Sequence, residues 1–433
     1  MKIETLYSVY LQHPLISTDT RKITEGSLFF ALKGEHFNGN KFASEALEAG
    51  AAYAVIDEAE YQKGDRFLLV DDVLSALQNL ARYHRQQLTI PFIAITGTNG
   101  KTTTKELLNS VLSQKYVTYA TIGNLNNHIG VPLSLLSVTS ETEIAIIEMG
   151  ANHQKEIAFL CSLAQPTHGL INNVGKAHLE GFGGFEGVKK GKGELYDYLK
   201  KTNGIAFINK DNDFLMEMMR ERELQNPVFY GKADDCFVRG NLVENNPFLL
   251  VDWSDGTETQ RVKSNLTGTY NFENLMAATA IGKYFGLTNA EINTGIEIYK
   301  PTNNRSQITQ TATNTLICDY YNANPSSMAV ALDSFSGLDA ENKVMILGDM
   351  FELGEESSAE HKILFERALR VTASKRIFIG NELYALAHTS SGNYFFRSTE
   401  EAYELLRTEP IRGATILLKG SRGMKLEKLV ELL

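Results

Sequence analysis

The stretch Ile93-Ala94-Ile95-Thr96-Gly97-Thr98-Asn99-Gly100-Lys101-Thr102-Thr103-Thr104 constrains the fold of this chain more than any other. A short apolar run ends in a turn holding two glycines. The turn opens a helix, because Leu107, Leu108, Val111 and Leu112 recur with helical period. Strand, glycine turn and helix in that order belong to an α/β sheet whose ligands sit at the carboxyl ends of its strands. Gly97 and Gly100 let backbone N–H groups close on an anion, and the helix start adds a positive dipole end. Lys101 brings an ammonium and Thr102 a metal-binding hydroxyl, with Thr98, Asn99 and Thr103 completing the cradle. The expected ligand is a nucleotide phosphate. The usual loop of this type carries a glycine where Ile95 stands, so the loop here is shorter, running from Gly97.

With 433 residues the chain is too long for one ordinary domain and implies two or three. A net charge of -10 excludes a broad nucleic-acid footprint, which needs a basic face. Cys161, Cys236 and Cys318 are far apart, odd in number and without metal-ligand spacing, which fits a reduced, cytoplasmic chain. Met1 to Gln12 has no basic-then-apolar signal layout, and no apolar run is long enough to insert in a membrane.

Three units follow along the chain. Residues 1–87 read as a small α/β unit with strands at 27–32, 52–56 and 67–70 and helices at 41–49 and 72–86. Its polar loops, including Thr20, Arg21 and Asn38-Gly39-Asn40, read as plain turns. Residues 88–302 carry the phosphate loop. There the apolar run Ile144 to Ile147 is typical of a buried parallel strand and delivers Glu148 to its carboxyl end, either as a magnesium ligand beside the phosphates or as an ordinary surface acid. The run Gly169 to Ile171 leads into Asn172-Asn173-Val174-Gly175-Lys176-Ala177-His178, placing His178 just past another strand. Lys189, Lys190 and Lys192 lie on a helix, either as a solvated face or as the lining of an anionic pocket. Residues 236–262 suggest a hairpin or small sheet turning at Asp255-Gly256. Asn271 and Asn274 stand three apart at a helix start, where they would cap the helix or bond a purine edge. Residues 303–433 alternate strands (315–318, 344–347, 376–379, 414–418) with helices (326–335, 359–371, 399–407, 425–432), which implies a mostly parallel sheet covered on both faces.

Several strings together resemble the Mur ligases, the ATP-dependent amide-forming enzymes of peptidoglycan precursor synthesis. The short phosphate loop with Thr-Asn between its glycines is one. Others are Asn124-Leu125-Asn126-Asn127-His128-Ile129-Gly130-Val131-Pro132, Glu148-Met149-Gly150-Ala151-Asn152, Tyr321-Asn322-Ala323-Asn324-Pro325 and Leu347-Gly348-Asp349-Met350-Phe351-Glu352-Leu353-Gly354. These resemble the dipeptide-adding branch of the family more than those that add one amino acid.

The resemblance implies three domains: a UDP-substrate domain (1–87), a central P-loop ATPase-type domain with a parallel sheet (88–302) and a C-terminal Rossmann-like domain (303–433). It implies ATP as co-substrate, two magnesium ions, and UDP-N-acetylmuramoyl-tripeptide and D-alanyl-D-alanine as the molecules joined, by a chain expected to be a monomer. Carried over by residue, Lys101 holds the β/γ-phosphates, Thr102 and Glu148 ligate one magnesium, and His178 serves the second. Lys192 becomes a carbamate, turning a cation into an anionic oxygen ligand. Asn271 and Asn274 flank the adenine, and Arg305 and Asp319 reach the nucleotide from the third domain. Thr20, Arg21, Asn38, Asn126, Asn127, Asn322 and Asn324 fall among the substrate-binding positions. The chain departs from the common family pattern at Asn38 and Asn40, in place of an acid and a histidine, and at Tyr270, in place of a histidine.

Overall fold

In a computed structural model that describes residues 1–225, 227–389 and 391–433, the chain builds three main sheets in succession. The first has four parallel strands in the order Ile16–Ser17, Leu28–Phe30, Tyr53–Ile56, Phe67–Leu69. The central sheet has nine. From one edge they run Thr118–Ala120, Ile144–Glu148, Phe92–Thr96, His168–Ile171, Ile205–Asn209, Val228–Gly231 and Val238–Asn245, all parallel. Leu249–Ser254 and Thr259–Lys263 then extend the sheet antiparallel. The expected small sheet over 236–262 is therefore the far edge of the central one.

The third sheet has six strands in the order Gln307–Gln310, Thr315–Asp319, Thr415–Lys419, Lys343–Gly348, Lys375–Ile379, Tyr394–Phe396, parallel except for the first. Its two edge strands escaped sequence reading because both are short and half-buried, without a continuous apolar run. The central strands Phe92–Thr96 and Ile144–Glu148 are buried at every residue, as strands covered on both faces must be, and their sequences are correspondingly apolar.

Register places the chemistry. Ile95 pairs with Glu148 and Thr96 with Ile171, so the phosphate loop leaves its strand between Glu148 on one side and Asn172 on the other. The last segment, expected to be helical from 425, winds as a 3₁₀ helix over Leu426–Leu432. Leu426, Leu429 and Leu432 recur every third residue, which suits a winding of three residues per turn against the core.

The first unit is bolted to the second. Its N-terminal helix Ile3–Gln12, absent from the sequence reading, packs Leu6 and Tyr10 inward, and Tyr10 donates its hydroxyl to Leu136 O at 2.6 Å. Arg85, at the end of the helix Val73–Gln86, is buried over the Phe92 ring at 3.8 Å and donates to Ala164 O, Leu88 O and Gln165 O, each at 2.8 Å. Arg85→Met should lower stability by about 2–4 kcal/mol, because one buried and two half-buried carbonyls lose a charged donor. Urea unfolding of wild type and variant side by side checks it; an unchanged midpoint would mean that water replaces the guanidinium without cost.

Candidate active site

The phosphate loop is built as its glycines require. Gly97 (φ +140°) and Gly100 (φ +79°) occupy backbone regions that favour glycine, and a Cβ on Gly100 would stand 2.7 Å from Asn274 Oδ1. The segment after the neighbouring strand holds the loop open. Thr98 N–H donates to Asn173 O and Asn99 N–H to Asn173 Oδ1, both at 2.9 Å, while Gly175 N–H donates to the Thr98 hydroxyl at 2.9 Å. Asn172 and Asn173 were not singled out in the sequence; a pair of amides directly after a buried strand was the available signal. The Lys101 ammonium curls back to donate to Gly97 O (2.7 Å) and Thr98 O (3.0 Å), and burial brings its pKa down to about 8. A polyphosphate in the cradle would supply the missing negative charge.

Around the loop lies a cavity of about 690 Å³, lined by Thr98 to Thr103 and by Glu148 and His178. Glu148 is 1% exposed, which removes the surface-acid alternative. Asn126 donates to its Oε1 at 2.8 Å, and its Oε2 is buried without a partner. An unpartnered buried carboxylate oxygen beside a phosphate cradle is what a hard cation would satisfy. Among the described residues no three His, Cys, Asp or Glu side chains converge, so a cation held here would draw its remaining ligands from hydroxyl, phosphate and water oxygens.

His178, in the left-handed region at φ +50°, lies with Nδ1 2.5 Å from Glu352 Oε2, a residue of the third unit. Burial lowers its pKa, opposed by that carboxylate. Lys192 sits behind the cavity wall rather than on it. It is 2% exposed, donates to Ala151 O at 3.2 Å, and forms no ion pair among the described residues. Burial first, and then the nearby Lys101 ammonium, hold its pKa well below the usual lysine range. The lysine run is no solvated face: Lys189 is also buried, 3.1 Å from Glu217, and only Lys190 is exposed.

Asn271 and Asn274 line the cavity but cap nothing. The helix starts after Tyr270, which supplies no side-chain cap, and Tyr270 bonds Ser306 at 2.7 Å. Asn271 donates to Thr267 O (2.7 Å) and Asn274 to Asn271 Oδ1 (2.8 Å). Asn274 Oδ1 accepts from Thr104 (3.0 Å) and Asn172 (3.1 Å), so these amides knit the phosphate-loop helix to its neighbour. Of the acceptor-loop residues, Asn126 touches Glu148, whereas Asn127 accepts from Gly130 N–H at 2.8 Å to start the next helix.

Loops of the third sheet form the opposite wall. Asn324 caps its own helix and also donates to Asn99 Oδ1 at 2.9 Å, a direct tie to the phosphate loop. Asn322 lines the cavity, its Oδ1 accepting from Ala323 N–H. Arg305 stacks on Tyr321 at 3.8 Å with its Nε buried and unpartnered. Asp319 is held by Lys419 at 2.6 Å and accepts from Ser306 N–H at 3.2 Å.

Thr20, Arg21 and Asn38 stand apart from this cavity, on the first unit. Arg21 is exposed and folded onto Asp19 at 2.8 Å. Asn38 donates to both oxygens of Glu58 and accepts from Asn40, whose own amide donates to Asp57 at 2.8 Å. The Asn38-Gly39-Asn40 turn is thus a hydrogen-bonded knot around two acids.

Comparison with known proteins agrees with this layout. Three family profiles cover the chain in order: Mur ligase family, catalytic domain, at residues 14–88; Mur ligase middle domain at 95–282; and Mur ligase, glutamate ligase domain, at 304–422. The UDP-N-acetylmuramoyl-tripeptide–D-alanyl-D-alanine ligase of Escherichia coli K12 is 38% identical over 425 residues, covering 96% of this chain and 93% of that protein. A crystal structure of MurF from Acinetobacter baumannii superposes with a TM-score of 0.87 at 30% identity, covering 99% and 98% of the two chains. MurF ligase from Thermotoga maritima, solved in complex with ADP, gives 0.84 at 27% identity, covering 98% and 97%. The chain belongs to the Mur ligase family.

Proposed function

We propose that this chain joins the amine of D-alanyl-D-alanine to the terminal carboxylate of UDP-N-acetylmuramoyl-tripeptide, driven by ATP. The observation that carries the reading is the phosphate cradle facing the unpartnered Oε2 of Glu148 in one cavity, with the third unit as its far wall. The Escherichia coli relative described above bears the name of this activity.

A carboxylate is a poor electrophile in water. Transfer of the γ-phosphoryl group from ATP to the tripeptide carboxylate gives an acyl phosphate and ADP. The dipeptide amine then attacks the acyl carbon, phosphate leaves, and the amine gives up a proton. Within this scheme Gly97 to Thr103 grip the phosphates through backbone N–H groups, and Lys101 leaves Gly97 O and Thr98 O to neutralise charge as the phosphoryl group moves. Arg305 serves the same phosphates from the third unit. Asn271 and Asn274 hold the shape of the adenine end, and Asp319 fixes Lys419 and the Ser306 turn there. Asn126 orients Glu148.

Thr102 and Glu148 are suited to one magnesium ion and His178 to a second, which supply charge neutralisation of the phosphates when bound. Lys192, whose charged form burial and the Lys101 ammonium disfavour, offers CO2 the amine needed for a carbamate. Thr20, Arg21 and Asn38 receive the uridine nucleotide end of UDP-N-acetylmuramoyl-tripeptide, and Asn127, Asn322 and Asn324 complete the binding surface for the two substrates. The domain limits 1–87, 88–302 and 303–433 and a monomeric chain complete the proposal. Free cysteines and a need for nucleoside triphosphate support a cytoplasmic setting for this activity.

The test is phosphate release and product mass in the presence of ATP and magnesium. Release should require both UDP-N-acetylmuramoyl-tripeptide and D-alanyl-D-alanine, and the product should carry the dipeptide in amide linkage. Release with ATP alone, or with a single amino acid in place of the dipeptide, would refute the reading.

A further inference from the structure

The segment that leads from the central unit into the third runs from Tyr299 to Ser306, and side chains of the central unit hold it at both ends. At its start Glu106 Oε2 accepts from the Tyr299 hydroxyl at 3.2 Å and from Asn303 Nδ2–H at 3.0 Å. At its end the Tyr270 and Ser306 hydroxyls are bonded at 2.7 Å, and Ser306 N–H donates to Asp319 Oδ1 at 3.2 Å. Between these ties Asn304 (φ +56°) and Ser306 (φ +50°) keep left-handed backbone, which residues with a side chain adopt only where their surroundings impose it. Arg305 stands between the two.

Glu106 belongs to the helix Lys101–Leu112, whose head is the phosphate loop. It follows Thr102 by four residues and so lies on the same face one turn further on. Along the axis it is about 7.5 Å from Lys101, a length set by the helix itself. The carboxylate is steadied from the other side, since its Oε1 is 3.6 Å from the ammonium of Lys105, which is buried and donates to Thr121 O at 2.6 Å. One rod therefore carries the anion cradle at its tip and, a turn below, the acid that grips the linker.

Arg305 is the group this arrangement aims. It lines the cavity, lies over the Tyr321 ring at 3.8 Å, has a buried Nε with no hydrogen-bond partner among the described residues, and is near enough to Lys101 to act on its charge. A long arginine side chain has many rotamers, and two left-handed residues beside it are two places where the backbone can relax. Its reach depends on where the linker is held. We propose that Glu106 is a positioning residue for phosphoryl transfer: by gripping Tyr299 and Asn303 it fixes the linker so that Arg305 meets the phosphates bound at the head of the same helix. This rests on the ligase reading above, which gives Arg305 its phosphate partner.

The test is a double-mutant cycle in the full chain, read first by binding of β,γ-imido-ATP with magnesium and then by kcat for phosphate release. Arg305→Ala should weaken analogue binding by about 10-fold, the size of a lost charge-assisted bond. Glu106→Ala should weaken it by a similar factor when Arg305 is present, and by less than about 2-fold when Arg305 is already alanine, because the two changes remove one and the same interaction. Glu106→Gln keeps an oxygen for both donors and should recover most of the loss. In Glu106→Ala kcat should fall while KM for D-alanyl-D-alanine stays put. If Glu106→Ala does not fold, Tyr299→Phe and Asn303→Ala, which take away the two donors one at a time, replace it in the cycle. Equal losses from Glu106→Ala with and without Arg305, full binding in Glu106→Ala, or full binding in Arg305→Ala would overturn the assignment and leave the ligase reading intact. Wild type that binds the analogue yet releases no phosphate on addition of both peptide substrates would bring down the ligase reading, and the binding cycle tells the two failures apart.

Discussion

Lys101→Ala abolishes ligation, with a fall in turnover of at least about 10³-fold, while far-ultraviolet circular dichroism and the unfolding midpoint remain close to wild type. The ammonium is the cation built into the loop itself, and it bonds two loop carbonyls at 2.7 and 3.0 Å. Thr98 lines the cavity and its carbonyl can turn to water, so the fold loses little when the side chain is cut back. The reaction loses the charge that moves onto the phosphates. A pKa near 8 adds a sign: the free enzyme is partly neutral at Lys101 in mildly alkaline buffer, and ATP should bind with uptake of a proton there. Isothermal calorimetry in buffers of different ionisation heat reads that proton. Wild-type turnover in the alanine variant would remove the phosphate-loop assignment.

The second large effect is expected at Lys192. Lys192→Ala should lower turnover by about 10²-fold or more, and acetate or formate should restore part of it, because a small carboxylate can enter the space left by the side chain and supply the anionic oxygen. The physical case is the lack of a carboxylate within ion-pair distance among the described residues. Lys192 donates to Ala151 O and lies 5.1 Å from the Phe182 ring centre; burial and the Lys101 ammonium disfavour its charged form against the pull of Glu156 and Glu194, and the neutral amine is the form that attacks CO2. Alanine at a site 2% exposed also leaves a cavity, so Lys192→Met serves as the control: it fills the space, should fold as wild type does, and should resist rescue. Full activity in either variant, or loss in Lys192→Ala that no small carboxylate relieves, would remove the carbamate role.

The phosphate loop, the strand that bears Glu148 and the alternation of the third unit were legible because each is local. Apolar runs bounded by glycine or amide residues announce buried strands whatever surrounds them. Relations between distant segments were not legible. Nothing in the spacing of Asn271 and Asn274 shows that their amides turn toward Thr104 and Asn172 rather than capping a helix, since both uses place an asparagine in the first turn. The burial of Lys189 and Lys192 depends on what packs over their helix, and a run of lysines carries no mark of it. Glu352 is ordinary in sequence and becomes notable only when the third sheet brings it to His178. The N-terminal helix was missed because Leu6, Tyr7 and Tyr10 form too short a stripe to stand out before a partner surface is known.

Because Ile95 and Glu148 face each other across two hydrogen-bonded strands, the span from anion cradle to carboxylate is the width of a β-sheet ladder. Such a span is among the least adjustable lengths in a protein. Loops at the rim can lengthen, shorten or change composition, and so admit a different acid or a different amine, without moving the point where phosphorus changes hands. An architecture of this kind lends itself to a series of enzymes that lengthen a peptide one step at a time, each keeping the same motor and altering only what is brought to it.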